Sequence, residues 1–130
     1  MPSLLSITFV ALGGALGSVS RYLLGTWIQS LSKSIDFPFG TLSVNLIGCF
    51  VIGFLSQLAE SRGIFTPETR ALVFIGILGG FTTFSSFGND TLNLFRDGET
   101  FNALLNIGMN VIVGLGLVWF GRNVAQWIWR

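Results

Sequence analysis

Apolar residues fill four long runs of this chain, and polar residues concentrate in the short stretches between them. An α-helix needs about 20 predominantly apolar residues to cross the hydrocarbon core of a membrane. Each run meets that length, so the pattern predicts an all-α integral membrane protein, a single domain over residues 1–130 with four transmembrane helices. The predicted spans are residues 4–28, 39–59, 71–95 and 101–127.

Short polar connections join the spans at residues 29–38, 60–70 and 96–100. In the second of these, Thr66 and Pro67 form a helix-start signal, with Thr66 as the N-cap and Pro67 at the first helical position. Nearly every lysine and arginine lies in or beside a connection. The chain therefore has little polar sequence from which to build a domain outside the membrane.

The composition excludes several functional classes. Of the 130 residues, 51% are hydrophobic and 10% are charged, whereas soluble domains carry about 25% charged residues. The net charge of +1 provides no basic patch for nucleic acid. Histidine is absent and Cys49 is the single cysteine, which excludes a disulfide framework, a zinc cluster and a Cys-His nucleophile pair. We therefore expect a protein that is not an enzyme.

The basic residues give only a weak orientation signal. With four spans, both termini and the 60–70 connection share one side of the membrane. That side carries Arg62, Arg70, Arg122 and Arg130, and the other carries Lys33 and Arg96, with Arg21 as a further candidate. Because the positive-inside rule acts through such differences, either one orientation is marginally preferred or copies insert both ways round.

Four spans leave scarcely any room for a pore inside one subunit, so we expect the protein to oligomerise. Gly13 and Gly17 form a GxxxG pair on the first span, and such pairs let helix backbones approach closely. The pair could serve contacts between subunits or packing within one subunit. The sequence favours neither alternative.

The third span contains a stretch that is unusual for a membrane helix. Residues 79–88 combine three glycines with four hydroxyl side chains, Gly79, Gly80, Gly88, Thr82, Thr83, Ser85 and Ser86. Broken membrane helices expose backbone carbonyls that can hold a cation, and we predict such a break here. The alternative is a continuous helix whose hydroxyls bond to the preceding turn.

Aromatic and amide side chains are the remaining candidates for a solute path. Phe84 and Phe87 stand three residues apart, and the edge of a phenylalanine ring is electropositive, although such pairs usually serve core packing. Asn45 lies within the second span, where its amide can donate two hydrogen bonds. A polar stripe on each of two spans favours a solute track over hydrogen bonding between helices alone. The stripes comprise Thr41, Asn45 and Gly48, and Asn102, Asn106, Asn110 and Gly114.

Together these motifs resemble the CrcB/Fluc family of fluoride channels, and they cover all four spans in order. The matching residues are Gly13, Gly14, Gly17, Arg21 and Tyr22; Gly40, Thr41, Leu42, Val44 and Asn45; and Gly79, Gly80, Thr82, Thr83, Phe84, Ser85 and Phe87. The chain departs from the family at Asn106 and Asn110, where some relatives carry Tyr and Ser, and at Asp90, where relatives often have Glu.

The resemblance implies an antiparallel, dual-topology homodimer with two pores in the cell membrane, surrounded by lipid. It assigns the pore to Phe84, Phe87 and Asn45. We predict that the nearby polar residues also belong to the pore, namely Thr83, Ser85, Ser86, Asn106 and Asn110. The resemblance places Arg21 near the vestibule. It also implies a structural sodium ion at the dimer centre, held by the backbone carbonyls of Gly79 and Thr82.

The expected function is passive, fluoride-specific efflux that lowers the intracellular fluoride concentration. One alternative is a small dual-topology multidrug exporter, which depends on a glutamate in the first helix, and residues 4–28 contain no acid. The other alternative is a non-transporting membrane assembly subunit. That alternative predicts that the asparagines bond only to other helices.

Overall fold

The computed structural model describes all 130 residues and is entirely helical. Four helical stretches are long and apolar enough to cross a membrane, which confirms the predicted fold class at that level. The third stretch divides into two helices, so the chain has five. They are α1 (Leu4–Ser32), α2 (Phe39–Arg62), α3 (residues 67–81), α4 (Phe84–Arg96) and α5 (Thr100–Ile128).

The helices extend beyond the predicted spans by up to four residues at each end. Helix α1 continues through residues 29–32, and α3 begins at Pro67, with Thr66 as its N-cap as predicted. The prediction measured the apolar run, whereas a helix continues for as long as its backbone hydrogen bonds are made. Gln29 consequently lies in α1 and not in a loop. Its Nε2 donates to the carbonyl oxygens of Ser34 and Phe37, and its Oε1 accepts from the Gly40 N–H.

The predicted break in the third span is present at Thr82 and Thr83. Both residues are extended, with ψ of 157° at Thr82 and φ of −150° at Thr83. The Thr83 hydroxyl then caps α4 by accepting from the Ser86 N–H at 3.2 Å. A side chain that can cap a new helix provides a local alternative to continuing the old one. Helix α3 therefore ends at Phe81, and α4 starts at Phe84 after two extended residues.

Glycines set the close approach of α1 to α3. A Cβ added at Gly13 would overlap the carbonyl oxygen of Leu72, and one added at Gly17 would overlap that of Ile77. Reciprocally, a Cβ at Gly76 would meet the Gly13 backbone. The GxxxG pair therefore serves packing within the subunit, which decides between the two alternatives left open by the sequence.

A second glycine-mediated contact joins α2 to the C-terminal half of α5. A Cβ at Gly53 would overlap the Val118 carbonyl oxygen, and one at Gly121 would overlap that of Phe50. Near this end, Arg122 and Glu60 form a bidentate ion pair with both N–O distances at 2.9 Å. Close backbone contacts at glycine therefore join α1 to α3 and α2 to α5.

Two stretches are wound as π-helix, Ala71–Leu78 in α3 and Met109–Val113 in α5. A π-helical turn contains more residues than an α-helical turn and is frequent at functional sites. The second stretch contains Asn110, so side chains spaced four apart in the sequence do not keep the strict register of an α-helix there. The spacing of the asparagines predicted a regular helix over this span, so the π-helical stretch was not expected.

Candidate functional site

Asn45 is bound to the break between α3 and α4 through its side-chain amide. Its Oδ1 accepts from the Thr83 N–H at 2.8 Å, and its Nδ2 donates to the Thr83 carbonyl oxygen at 3.1 Å. Because the main chain of Thr83 offers one donor and one acceptor, only one orientation of the amide satisfies both. The break therefore fixes which way Asn45 faces, and Asn45 in turn satisfies a main chain that has left the helix.

A relay of hydrogen bonds continues from Asn45 through Asn110, Asn106 and Thr91; we call these four residues the asparagine relay. Asn45 Nδ2 donates to Asn110 Oδ1 at 2.9 Å. Asn110 Nδ2 donates to Asn106 Oδ1 at 3.1 Å and to the Asn106 carbonyl oxygen at 2.9 Å. Asn106 Nδ2 donates to Thr91 Oγ1 at 3.0 Å.

The relay ends in the first turns of α4. Thr91 Oγ1 donates to the Phe87 carbonyl oxygen at 2.7 Å. The asparagine relay therefore connects Thr83, to which Asn45 is bonded, with Phe87 on α4. Asn106 is 1% exposed and lines neither of the cavities described below. Its predicted place in the pore stays a prediction, and the structure places it behind Asn110. Asn102 lies apart from the relay, since its Nδ2 donates to Glu99 Oε2.

Phe84 and Phe87 adjoin each other on α4, as their spacing predicts. Their ring centroids are 5.5 Å apart and their planes are inclined at 59°. Phe87 is buried, whereas 82% of Phe84 is exposed in the single subunit. The sequence alone gave no reason for this difference, because both residues were expected in the same environment.

A cavity of about 360 Å³ brings most of the predicted site residues together. We call it the apolar cavity, because hydrophobic residues form most of its surface. Its lining comprises Asn45, Gly48, Cys49, Ile52, Phe74, Leu78, Gly79, Thr82, Thr83, Phe84, Phe87, Asn110 and Val111. Three phenylalanine rings and two asparagine amides thus line one space.

A second cavity of about 510 Å³ lies on the other side of Thr83. We call it the polar cavity, because most of its lining side chains are polar, and Arg21 is its one charged residue. The lining comprises Arg21, Tyr22, Gly25, Thr26, Gln29, Ser30, Gly40, Thr41, Val44, Thr83 and Ser86. Thr83 lines both cavities and therefore stands between them. Thr26 and Gln29 were missed as candidates because Gln29 was assigned to a loop and Thr26 has no distinctive spacing.

Arg21 is positioned by the end of α3. Its Nε donates to the Gly80 carbonyl oxygen at 3.0 Å. Its two terminal nitrogens form no ion pair with a carboxylate. A guanidinium stays charged at any physiological pH. The polar cavity therefore carries a fixed positive charge on its wall.

The hydroxyl groups around the break differ in their surroundings. Thr83 Oγ1 donates to Ser86 Oγ at 3.0 Å, and both residues line the polar cavity. Ser85 is exposed and lines neither cavity, with its Oγ 3.5 Å from Thr83 Oγ1. The structure therefore brings Thr83 and Ser86 together as predicted and leaves Ser85 at the edge of the site.

The break also releases main-chain carbonyl groups. In a continuous helix the Gly79 carbonyl would accept from the Thr83 N–H, but that N–H donates to Asn45. The Gly79 and Thr82 carbonyl oxygens accept no hydrogen bond from the chain. Neutral oxygen atoms of this kind are ligands for hard cations such as Na⁺, so the donor chemistry fits the expected sodium site.

Comparison with known proteins places this arrangement in a family. The model of the family described as CrcB-like protein, Camphor Resistance (CrcB), matches residues 8–122. The chain belongs to the CrcB family. It is 45% identical over 120 residues to the fluoride-specific ion channel FluC of Methylobacillus flagellatus. The aligned region covers 92% of this chain and 94% of that protein.

Other CrcB relatives match over the same extent. The fluoride-specific ion channel FluC of Parabacteroides distasonis is 48% identical over 118 residues, covering 91% of each chain. That of Shewanella woodyi is 44% identical over 120 residues, covering 92% of this chain and 95% of the relative. Together with the four membrane-length helices, this membership makes the chain a multi-pass membrane protein of a channel family, which is not an enzyme family.

Proposed function

We propose that this CrcB family member is a fluoride-specific channel that lets fluoride leave the cytoplasm passively across the cell membrane. The observation that carries the proposal is the convergence of Asn45, Phe84 and Phe87 on one cavity at a break in a membrane helix. The names of the relatives support fluoride as the conducted ion.

The site is suited to a small anion. Ring edges at Phe84 and Phe87 are electropositive, and the amide of Asn45 supplies neutral donors. The polar cavity offers the positive charge of Arg21 and contains no carboxylate. Arg21 thus attracts anions to the polar cavity, whereas no charged residue lines the apolar cavity. Strong binding of an anion in the apolar cavity would slow its release. The Thr83 and Ser86 side chains add hydroxyl groups to the wall of the polar cavity, and Ser85 adds one at the edge of the site.

A passive mechanism requires no coupling residue. Hydrogen fluoride enters a cell as a neutral acid and dissociates at cytoplasmic pH, which traps the anion. An inside-negative potential then drives the anion outward with about 2.3 kcal/mol per charge per 100 mV. The multidrug exporter alternative depends on a glutamate in its first helix, and α1 contains no acidic residue. The assembly-subunit alternative predicts no flux at all.

The functional unit in this proposal is an antiparallel, dual-topology homodimer with two pores, surrounded by lipid. Support comes from the surface of the single subunit. Phe84 is 82% exposed, and Gly79 and Ser85 are exposed beside it. Backbone that has left a helix is not stable against lipid, so a partner subunit covering the break would complete the site.

A sodium ion at the centre of that dimer is part of the proposal. The carbonyl oxygens of Gly79 and Thr82 would hold it, and the ion would satisfy groups that the chain itself leaves without a donor. Its role is structural, since it would join the broken helices of the two subunits.

The direct test is ion efflux from liposomes that contain only the purified protein. Fluoride should leave rapidly after an ionophore sets the potential, and chloride flux should be strongly excluded, because the short path rewards a compact and strongly hydrogen-bonding anion. Protein-free liposomes provide the baseline. Comparable fluoride and chloride fluxes would contradict the proposed selectivity, and no flux of either ion would favour the assembly subunit.

A further inference from the structure

Both amide hydrogens of Asn45 are already engaged by the protein. One goes to the Thr83 carbonyl oxygen at 3.1 Å and the other to Asn110 Oδ1 at 2.9 Å. A neutral amide nitrogen carries two hydrogens and no more. Asn45 can therefore donate to an anion only after one of these two acceptors has been displaced.

The two acceptors differ in how easily they can move. The Thr83 carbonyl is main chain, and the same residue is held a second time through its N–H on Asn45 Oδ1. Asn110 Oδ1 is the end of a side chain on another helix, and Asn110 lines the apolar cavity together with Phe84 and Phe87. A side-chain rotation frees this oxygen without moving a helix. Asn110 Oδ1 is consequently the acceptor that an entering anion displaces.

We propose that Asn110 is an affinity-determining residue whose Oδ1 occupies a donor of Asn45 until fluoride replaces it; this inference rests on the proposed function. The competing oxygen has two effects. It keeps a donor in a largely apolar cavity hydrogen-bonded when no anion is present. It also lowers the net gain when fluoride binds, because one hydrogen bond must break as another forms. Conduction needs such weak binding, since an ion must also leave.

The remainder of the relay tethers the Asn110 amide at its other end. Asn110 Nδ2 donates to two oxygens of Asn106. Asn106, which is 1% exposed, in turn donates to Thr91 Oγ1. These bonds limit how far the Asn110 amide can turn, so its oxygen tilts away from Asn45 when an anion enters and returns when the anion departs. Asn106 and Thr91 act through Asn110 and are positioning residues.

The experiment measures initial fluoride flux against fluoride concentration in liposomes. In Asn110→Ala the competing oxygen is absent, and in Asn110→Ser a shorter hydroxyl retains a donor to the preceding turn without reaching Asn45. Both variants should reach half-maximal flux at a fluoride concentration about two- to tenfold lower than the unmodified protein, the equivalent of one neutral hydrogen bond. Asn123→Ala is the matched control, since it removes the same group from the C-terminal half of α5, where Asn123 donates to the Trp119 carbonyl oxygen and lines neither cavity, and it should leave the concentration dependence unchanged.

A structural role alone predicts a different result. Loss of packing would lower the yield of folded protein or the maximal flux, but it would not make fluoride bind more tightly. A half-saturating concentration that is unchanged or higher in both folded variants overturns the inference. If the unmodified protein passes no fluoride, the proposed function fails instead, so the two failures are distinguishable.

A measurement on the unmodified protein covers the case in which neither variant folds. Met109–Asn110 is the only Met-Asn pair in the sequence, so labelling methionine carbonyls with ¹³C and asparagine with ¹³C and ¹⁵N identifies the Asn110 signals in bilayers by NMR. Fluoride, and not an equal concentration of chloride, should shift the Asn110 side-chain carbonyl as its hydrogen bond from Asn45 breaks. An Asn110 carbonyl shift that is insensitive to saturating fluoride overturns the inference.

Discussion

At the residue scale, the two phenylalanines illustrate how one residue type takes different roles three positions apart. Phe87 is buried against its own subunit, whereas Phe84 projects from it. Sequence spacing could predict that the two rings adjoin, because residues i and i+3 share a helix face. It could not predict their different exposure, which depends on which other helices pack against α4.

We predict that the ring edges are required for flux. Phe84→Ile and Phe87→Ile should each abolish or greatly reduce fluoride efflux, because an aliphatic side chain has no comparable positive edge. Gel filtration should still show folded protein, since a hydrophobic swap of this kind costs about 1 kcal/mol or somewhat more. Phe50→Ile is the matched control, because Phe50 packs against Phe54 and Phe120 and lines neither cavity. Normal efflux through both folded pore variants would show that the rings only fill space.

A second prediction concerns the charge at Asn45. Asn45→Asp keeps the size of the side chain but removes the amide donor and introduces a carboxylate. The carboxylate would repel an anion in the apolar cavity. It would also repel the Thr83 carbonyl oxygen, which accepts a hydrogen bond from Asn45 Nδ2 in the unmodified protein. Fluoride efflux from liposomes should fall to the protein-free level. Efflux at the unmodified rate from a folded Asn45→Asp protein would remove Asn45 from the path.

At the scale of the helices, the sequence was informative where the local chemistry was strong. The break at Thr82 and Thr83 was predictable because glycines and hydroxyls together weaken a helix and offer alternative partners. The asparagine relay was only partly predictable. The stripe on the fourth span identified Asn106 and Asn110, but no sequence rule showed that Thr91 would be the residue opposite Asn106. Thr91 lies on a different helix, and its register depends on the geometry of the break.

Close contact between α1 and α3 gives a prediction with an internal control. Gly17→Ala places a methyl group against the Ile77 carbonyl oxygen, whereas a Cβ at Gly14 has no atom within 4 Å. Gly17→Ala should lower the free energy of unfolding by about 1–3 kcal/mol through overpacking, and Gly14→Ala should leave it unchanged within the subunit. Unfolding in detergent, followed by tryptophan fluorescence, measures both. Equal stability of the two variants would mean that the helices are not in contact there.

The released carbonyls give a prediction about sodium. If Gly79 and Thr82 hold the ion between subunits, transfer into sodium-free buffer should abolish fluoride flux slowly, at the rate at which the ion escapes from an enclosed site. Adding sodium back should restore the flux, while potassium at the same concentration should restore less. Full activity after prolonged incubation without sodium would indicate that the carbonyls have another partner.

At the scale of the whole molecule, the charge distribution concerns how the chain enters the membrane. The basic residues differ by only four against two or three between the two sides, which predicts either a marginal preference for one orientation or insertion of copies both ways round. The sequence did not predict that Arg122 pairs with Glu60. This ion pair does not change the comparison of basic residues, because carboxylates contribute little to the orientation rule. The count from the sequence therefore still applies.

Dual insertion can be tested in cells with an impermeant thiol reagent. Ile64→Cys places a thiol in the exposed connection before α3, and about half of the molecules should label from each side of the membrane. The unmodified chain controls for Cys49, which lies within α2. Two or three lysines added to the same connection should shift labelling to one side and reduce the yield of dimer. Labelling of the Ile64→Cys protein from one side only would refute dual topology.

The hydrogen bonds around the break form one directed series that leaves the chain at Thr83 and rejoins it at Phe87, and this series constrains how the protein can evolve. Each donor from the Thr83 N–H through Asn45, Asn110, Asn106 and Thr91 points the same way round, to the Phe87 carbonyl four residues from the start. Replacing one member alone leaves a neighbour with an unmatched donor or acceptor. We therefore expect relatives with a different polar lining to differ at several of these positions together, because a single exchange would leave its neighbour without a hydrogen-bond partner.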